Sequence, residues 1–478
     1  MQKYLIAVLF VLVSGALFSQ KFVSATLLGS KTKAQLSTQF FGLAFPYNVK
    51  YYRVLYTMPD LKGVTDTVSG LLVIPVDVTK SFPRLVYQHG TASAQLAVPS
   101  YTTTGGGEGT LGFLFAGLGY VSYLPDFLGL GISTGVHPYV HAKTEASAAI
   151  EMLRAAKDFL GQNQVSTNDQ LFITGYSQGG HAAMALHREI ETLLPQEFTV
   201  TAAAPLSGPY SISGVMRNVM LSDGIYLYPA YLPNTAVSFQ AVYGNIYSDL
   251  TDIFKPVYAA EIQKFVDKTM NLGQLNTKLI SLLTTNEGAS RPTRLFQPAL
   301  LEALKNDPKH PINAALRDND VYDWTPKAPT RLFYCMADDQ VPFQNSIVAR
   351  DAIKANGALN FDASDVNPTA DHGACFQPAI LGTISFFTSF QQVTVATHAP
   401  ILEEALSCYP NPATNSVTLR NLPAGTRITV MDASGTVRYT ATAKGGDQRF
   451  DVGHLARGNY IVRCTGSDRI WTGKVVLL

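Results

Sequence analysis

The feature that most constrains this chain is the pentapeptide Gly175–Gly179, which has the pattern G-x-S-x-G with Ser177 at its centre. An apolar run, residues 171–174, precedes it, and a helix-like run, residues 181–186, follows it. A strand that turns sharply into a helix needs glycines around the serine, because side chains there would crowd the turn. The pattern therefore predicts a β-strand, a tight turn and an α-helix, with Ser177 at the apex.

A serine held in this way is suited to nucleophilic chemistry. The hydroxyl is a poor nucleophile at neutral pH, and such a turn places it near a general base and beside backbone amides that stabilise an oxyanion. Short patterns with two glycines also arise by chance in a chain with 37 glycines, and the alternative is an ordinary turn with a capping serine. We expect Ser177 to be a nucleophile, provided that the rest of the chain supplies a base.

Length and composition limit the classes of protein to be considered. A chain of 478 residues exceeds what one core usually fills, so we expect one large domain and one smaller one. With 46% hydrophobic and 15% charged residues, the chain can bury a sizeable core. Its formal charge of +1 shows no bias towards polyanions, which excludes nucleic acid as an expected partner.

The amino terminus has the layout of a signal peptide. Lys3 precedes the apolar run 5–13, and small residues follow at positions 14–16. A membrane anchor is the alternative, but spanning a bilayer takes about 18 apolar residues and this run is shorter. We expect cleavage between Ala16 and Gln20, export from the cytoplasm and no transmembrane segment in the mature chain.

The order of apolar runs predicts an α/β domain. Residues 51–75 read as an early hairpin, and residues 144–160 as a helix. Further strands are expected at residues 85–88, 120–124, 171–174, 201–205 and 330–335. Strands that alternate with helices indicate a parallel sheet. The long insertion at about 210–327 is too long for a simple connection, so we expect it to be a structured lid whose aromatic residues mostly form its own core.

The four cysteines fall into two neighbourhoods, Cys335 with Cys375 and Cys408 with Cys464. Export permits a disulfide within each neighbourhood, and buried free thiols are the alternative. Four cysteines allow three connectivities, and spacing does not choose among them.

A base for Ser177 is sought among the histidines, because hydrolases of this type present their catalytic residues in the order serine, acid, histidine. The histidines in the elbow helix, the linker and the terminal β region are unsuited. His372 remains, in a loop ahead of the apolar helix-like run 379–387, and a solvent-exposed loop histidine without a catalytic role is the alternative. Asp338 is the expected acid because it follows a strand on a turn before Val341 and Pro342; Asp339 and Asp371 are rivals.

The oxyanion donors are expected to be the backbone amides of Gln178, directly after the nucleophile, and of Thr91, in a loop after an early strand. His89 in that loop is interpreted as a structural residue, and so is Asp126. The glycine run at 105–107 lacks the lysine of a phosphate-binding loop and is interpreted as a mobile loop. No cluster of metal ligands is evident, so we expect neither a metal nor a cofactor.

Five segments together resemble the secretory lipase-type α/β-hydrolases: His89–Thr91, Pro125–Gly131, His137–Ala142, Gly175–His181 and Asp338–Pro342. The similarity covers most of the large unit. It implies an α/β-hydrolase fold with a helical lid, and hydrolysis of carboxylic esters through an acyl-enzyme at Ser177. The substrate would be a small-molecule or lipid ester.

The chain's final segment, from about residue 406, is similar to the C-terminal sorting domain of the type IX secretion system. Tyr409–Ala413, Asp432–Gly435 and Leu455–Val462 carry this resemblance. It implies a small all-β domain of the Ig-like sandwich type, an interaction with the type IX secretion machinery, and a secreted or cell-surface location. The alternative is a carbohydrate-binding or adhesive β-sandwich.

The expected organisation is a signal peptide at 1–20, a catalytic domain at 21–395, a linker at 396–405 and a sorting domain at 406–478. The expected function is that of a secreted esterase or lipase. One alternative is a serine peptidase of the prolyl-oligopeptidase type, although few residues precede the hydrolase core to form a β-propeller. The other is a non-catalytic surface adhesin.

Overall fold

A computed structural model describes residues 21–103, 107–396, 402–466 and 469–478. The predicted signal peptide, most of the glycine run and the middle of the predicted linker lie outside these residues. The chain divides into two compact units, one formed mainly by residues before 395 and the other mainly by residues after it.

One sheet forms the centre of the large unit. Its strands are β1 (Phe22–Lys31), β2 (Val49–Pro59), β3 (Thr65–Pro75), β4 (Lys80–Gln88), β5 (Val121–Pro125), β6 (Ser166–Tyr176), β7 (Val200–Leu206), β8 (Thr330–Tyr334) and β9 (Phe361–Asp365). They are arranged in the order β1-β2-β3-β5-β4-β6-β7-β8-β9, and the short strand β10 (Thr394–Val395) pairs with β4.

The direction of the strands changes across this sheet. The pairs β1–β2, β2–β3 and β3–β5 are antiparallel, whereas β4–β5, β6–β7, β7–β8 and β8–β9 are parallel. Strand β2 alternates between buried and more accessible residues, while residues 68–75 of β3 are buried throughout. Continuous burial is typical of strands that are covered on both faces.

Helices connect and cover these strands. Four of them precede the insertion between β7 and β8: α1 (Lys33–Gln39), α2 (Gly109–Gly117), α3 (Ala142–Gln162) and α4 (Gln178–Leu193). The insertion contains α5 to α10, and after it come α11 (Gln344–Ala355) and α12 (His372–Thr388). Helix α4 follows Ser177 directly, and all of its residues from Gln178 to His187 are buried. The helix of the predicted elbow is therefore a core element.

The insertion between β7 and β8, here called the lid (residues 210–327), is helical. It contains α5 (Arg217–Met220), α6 (Tyr231–Tyr243), α7 (Pro256–Val266), α8 (Leu272–Glu287), α9 (Pro298–Asn306) and α10 (Pro311–Asp318), with short 3₁₀ or π turns between them. Helices α7, α9 and α10 begin with a proline, whose missing N–H has no partner in a first helical turn in any case. The lid has a hydrophobic core that includes Phe239, Phe254 and Tyr258.

The small unit is all-β. Its strands are β11 (Leu402–Ala405), β12 (Cys408–Tyr409), β13 (Ser416–Leu422), β14 (Arg427–Asp432), β15 (Val437–Thr442), β16 (Gly446–Asp451), β17 (Gly458–Thr465) and β18 (Arg469–Leu477). They form one sheet in the order β11-β18-β17-β14-β15 and another in the order β12-β13-β16. Alternate residues, such as Val417, Leu419 and Val462, are fully buried in the core of this unit.

The structure confirms the predicted fold class and differs from it in detail. The predicted hairpin, the parallel strands and the helical lid are present, whereas β1, α1 and β9 were not predicted. Residues 402–405, which the sequence placed in the linker, form a strand that pairs with β18 in parallel. This pairing depends on residues 469–472, far along the chain, so local sequence did not indicate it.

The structure decides between the two alternatives that the sequence left open for the cysteines. Cys335 and Cys375 form a disulfide, whereas Cys408 and Cys464 are free thiols. Burial raises the pKa of the Cys408 thiol to about 11 and that of Cys464 to about 12. The disulfide joins the end of β8 to the first turn of α12.

Loss of the disulfide is predicted to destabilise the large unit. The double substitution Cys335→Ser and Cys375→Ser opens a link between residues 40 positions apart. In the chain-entropy description, a loop of that length corresponds to about 4 kcal/mol of unfolding free energy. Urea denaturation would measure the change, and a reductant should destabilise only the unsubstituted protein. A reductant without effect on that protein would contradict the prediction.

Candidate active site

Ser177 lies at the turn between β6 and α4 in a strained backbone conformation. Its φ is 59° and its ψ is −121°, and a non-glycine residue with positive φ is uncommon. The backbone N–H of Ser177 donates a hydrogen bond of 3.0 Å to the carbonyl of Leu206 in β7. The neighbouring strand thereby holds the turn.

The glycines of the motif permit close backbone contacts around this turn. A Cβ on Gly179 would lie 1.9 Å from the carbonyl oxygen of Gln88, and one on Gly175 would lie 2.3 Å from the carbonyl oxygen of Gly179. No side chain fits at either position without displacing backbone. The two glycines therefore allow α4 to start directly against the end of β4.

The structure brings His372 and Asp338 together. The Nδ1 atom of His372 lies 2.7 Å from Oδ2 of Asp338, and both side chains are buried. The other carboxylate oxygen of Asp338 accepts hydrogen bonds from the backbone N–H groups of Gln340 and Val341, at 3.0 and 2.8 Å. These bonds fix the carboxylate in the orientation in which it faces the imidazole.

The disulfide described above reinforces this pair. Cys335 lies three residues before Asp338, and Cys375 lies three residues after His372. His372 is the first residue of α12 rather than a residue of a preceding loop, which corrects its predicted placement. The cross-link therefore holds the β8 turn and the start of α12 at the point where their side chains meet.

The two rival carboxylates have other partners. Asp339 accepts the backbone N–H of His372 at 3.1 Å, and Asp371 caps α12 by accepting the N–H of Ala374 at 2.8 Å. Both thus position the start of the helix that carries His372. Asp338 is the carboxylate that contacts the imidazole.

Tyr176 links the turn at Ser177 to His372. Its hydroxyl donates a 2.5 Å hydrogen bond to the carbonyl of His372, and the two rings lie 5.0 Å apart between centroids. Within the described part of the chain, the hydroxyl of Ser177 makes no hydrogen bond.

The predicted oxyanion loop lies beside Ser177. A Cβ on Gly90 would lie 3.6 Å from Cβ of Ser177, which shows how near the loop comes. The N–H of Gly90 donates to both carboxylate oxygens of Glu108, at 3.1 Å each, and Tyr87 donates to the same carboxylate. Among the described residues the amide of Thr91 has no acceptor, so it is available to a ligand.

Gln178, the other expected oxyanion donor, is the first residue of α4. The N–H of a first helical residue has no acceptor within its own helix. Its side chain is held from behind, because Nε2 donates to Oε1 of Glu145 and to Nε2 of His137, both at 2.8 Å. The side-chain contacts thus anchor the residue, and within the described ranges its backbone N–H has no acceptor.

A buried network extends from Gln178 into the lid. Glu145 also contacts Nδ1 of His181 at 2.8 Å, and Nε2 of His181 lies 2.9 Å from the carbonyl of Asn319. Both Glu145 and His181 are almost completely inaccessible to solvent. Sequence reasoning missed Glu108 and Glu145, because their roles depend on contacts with residues far away in the chain.

The residues interpreted as structural have structural contacts. Asp126 is fully buried and accepts hydrogen bonds from the hydroxyls of Ser69 and Ser100. The ring of His89 faces the carbonyls of Gly90 and Asp126. Among the described hydrogen bonds of these two residues, none involves His372.

A small cavity of about 40 Å³ lies between the turn at Ser177 and the lid. It is lined by Tyr139, Val140, Ser177, Gln178, Pro209, Ile212, Met216, Met220, Tyr226, Tyr231, Leu232, Thr235, Leu316 and Val341. Of the lid's aromatic residues, only Tyr226 and Tyr231 are in this lining. Most others pack within the lid, as the sequence predicted.

The described residues contain no cluster of His, Cys, Asp or Glu side chains that could hold a metal ion. In that same part of the chain, none of the helices combines the length and the apolar character that crossing a bilayer requires.

Substitution of Gly179 is predicted to damage the fold at the turn. The Gly179→Ala change places a methyl group against the backbone of Gln88, and overpacking of this kind costs about 3 kcal/mol of unfolding free energy. Denaturation in urea would measure it. Gly161→Ala is the matched control: no atom lies within 4 Å of its Cβ position, so this change should be neutral or slightly stabilising. Equal effects of both changes would contradict the prediction.

Stability is predicted to depend on pH through His137. Burial lowers the pKa of this imidazole to about 4, whereas it is about 6.5 in an unfolded chain. Between these values the unfolded state binds more protons, so the unfolding free energy falls as the pH drops from 6.5 to 4. One such group contributes about 1.4 kcal/mol per pH unit at most.

The measurement is urea denaturation between pH 4 and pH 7. The decline should be shallower in a His137→Gln variant and unchanged in His454→Gln, because His454 is exposed in the small unit. An identical decline in His137→Gln and the unsubstituted protein would show that His137 does not cause it.

Comparison with known proteins agrees with this architecture. The family model "Secretion system C-terminal sorting domain" matches residues 407–478. No curated protein sequence matches the chain significantly.

Solved structures resemble the large unit. The rice cell wall degrading esterase LipA from Xanthomonas oryzae shares 27% sequence identity, with a TM-score of 0.67 over 77% of this chain and 97% of LipA. A Legionella pneumophila protein assigned to the hydrolases shares 25% identity, with a TM-score of 0.68 over 77% of this chain and 98% of its own. Candida antarctica lipase A in its closed state, at 16% identity and a TM-score of 0.58 over 80% and 86% of the two chains, shares the fold. The chain is thus a secreted hydrolase of the α/β-hydrolase fold whose C-terminal domain is a sorting domain of the type IX secretion system.

Proposed function

We propose that this protein hydrolyses carboxylic esters through an acyl-enzyme on Ser177. The observation that carries the proposal is the buried 2.7 Å contact between His372 and Asp338, next to a serine in a strained turn. A carboxylate that faces Nδ1 holds the imidazole so that Nε2 can accept a proton. LipA, at 27% identity, is described as an esterase, which supports the same reaction class here.

In the first half of the reaction, Ser177 attacks the ester carbonyl carbon and His372 takes the hydroxyl proton. The carbonyl oxygen becomes an oxyanion, which the backbone amides of Gln178 and Thr91 stabilise. Collapse of this intermediate breaks the bond to the alcohol, and His372 returns its proton to the departing oxygen. Asp338 stabilises the imidazolium that forms between these steps.

In the second half, a water molecule replaces the alcohol. His372 accepts a proton from the water, whose oxygen attacks the acyl carbon. The second tetrahedral intermediate releases the acid and restores the hydroxyl of Ser177. The chemistry is carried by side chains and backbone amides, and no step of it uses a metal or a cofactor.

We further propose that residues 1–20 are a signal peptide and residues 21–395 the catalytic domain with its lid. The sorting domain then follows a linker that ends before the strand Leu402–Ala405. Periplasmic entry would depend on the signal peptide, and passage of the outer membrane on the sorting domain. The catalytic serine would therefore act outside the cell or at its surface.

The proposed nucleophile is tested with Ser177→Ala. This variant should lose p-nitrophenyl ester hydrolysis by at least about 10³-fold while retaining the fold, because it lacks the nucleophile. Asp338→Asn should lose about 10³- to 10⁴-fold, since it presents the wrong tautomer of His372. Ser248→Ala is the matched control. Ser248 is an exposed serine of the lid, so this variant should hydrolyse the esters as fast as the unsubstituted protein.

The same experiment separates the alternatives. Turnover of aminoacyl-proline amides with negligible ester turnover would instead support a peptidase. Surface binding that survives in Ser177→Ala, with no hydrolysis by the unsubstituted protein, would support an adhesin. Either result would refute the proposed ester hydrolase.

A further inference from the structure

The small cavity beside Ser177 has a definite chemical character. Among the described residues that line it, none carries a charge, and most are aliphatic, aromatic or methionine side chains. Ser177 and Gln178, the proposed nucleophile and oxyanion donor, are also part of the lining. A neutral, apolar group attached to the reacting carbonyl would therefore suit the cavity.

The position of the cavity distinguishes the two halves of an ester. His372 must return a proton to the departing alcohol, so the alcohol has to leave on the side where the imidazole lies. Neither His372 nor Asp338 lines the cavity, whereas Gln178 does. The cavity therefore borders Ser177 and Gln178 away from the residues that serve the departing alcohol, which favours the acyl chain as its occupant.

The volume of the cavity limits the length of that chain. The cavity has a volume of about 40 Å³. A buried water molecule needs about 10–15 Å³, so the cavity would hold about three waters, and a methylene group is of similar size. This volume corresponds to an acyl group of about four carbons, counting the carbonyl carbon.

Polar contacts hold the walls in place. The hydroxyl of Tyr231 donates to Oε1 of Gln340 at 2.9 Å, and that of Tyr226 donates to the carbonyl of Gln340 at 3.1 Å. Met216 is in contact with Nδ2 of Asn345, at 3.4 Å from its sulfur. These contacts tie the lid side of the cavity to the loop that carries Asp338, through Gln340, and to α11, through Asn345.

Two lid residues contribute large apolar side chains to the walls. Met220 ends α5 and Leu316 lies in α10; they are 4% and 1% exposed and belong to the lid core. Shortening either side chain enlarges the cavity, because a packed core relaxes only partly around a deletion.

We propose that this cavity binds the acyl chain and restricts the enzyme to short-chain esters, with Met220 and Leu316 as specificity-determining residues. The inference rests on the proposed ester hydrolysis. It adds the substrate class, esters of acids of about four carbons, which the reaction mechanism leaves open.

The test is a series of p-nitrophenyl esters, from acetyl through butanoyl and octanoyl to dodecanoyl, compared by kcat/KM. The unsubstituted protein should prefer the butanoyl ester over the octanoyl ester by about tenfold or more, because the longer chain does not fit. Met220→Ala and Leu316→Ala should each raise the ratio of octanoyl to butanoyl turnover by about tenfold.

Leu283→Ala is the matched control. Leu283 is a fully buried leucine of the same lid core that does not line the cavity, so its loss should lower stability and leave the chain-length profile unchanged. An unsubstituted protein that turns over octanoyl esters as fast as butanoyl esters would overturn the inference. So would a profile that shifts equally in all three variants, or in none.

The outcomes also separate this inference from the proposed function. If the folded protein hydrolyses no ester and Ser177 does not react with an alkyl phosphonate, the proposed function itself fails. If esters are hydrolysed and Ser177→Ala is inactive, the chain-length profile alone decides whether the cavity limits the acyl group.

Discussion

The close approach of the Ser177 turn to the ends of β4 and β7 is the constraint on which the site depends. Gly179 lies where a methyl group would overlap the Gln88 carbonyl, and the N–H of Ser177 is bonded to Leu206. Ser177, between these contacts, has a positive φ. The same approach brings the loop after β4, with Gly90, against the serine.

The acid and the histidine are held by a second set of constraints. Backbone amides fix one oxygen of Asp338, while Asp339 and Asp371 hold the start of α12. The disulfide between Cys335 and Cys375 joins the two segments. Because each side chain is oriented by several bonds, the pair is preorganised, and binding does not have to assemble it.

The apolar residues of the lid have two roles, and the sequence does not distinguish the residues that have one from those that have the other. Most of its apolar residues pack against each other, which lets a long insertion fold without exposing a large apolar surface. A few, including Met220 and Tyr231, line the cavity next to Ser177 instead. Asn319 connects the lid to His181 behind the turn, so the lid and the elbow helix share one buried network.

Local patterns in the sequence indicated most of the central strands, the elbow helix and the helical insertion, the candidate nucleophile, and the choice of His372 and Asp338 by their order and spacing. These depend on periodicity and on short motifs, which act over a few residues. The strand at 402–405, the free thiols of Cys408 and Cys464, and the roles of Glu108 and Glu145 were decided only by tertiary structure. Each of them depends on a partner that is distant in the chain. The size of the cavity depends on how the side chains of the lid pack, and spacing along the sequence does not specify this packing.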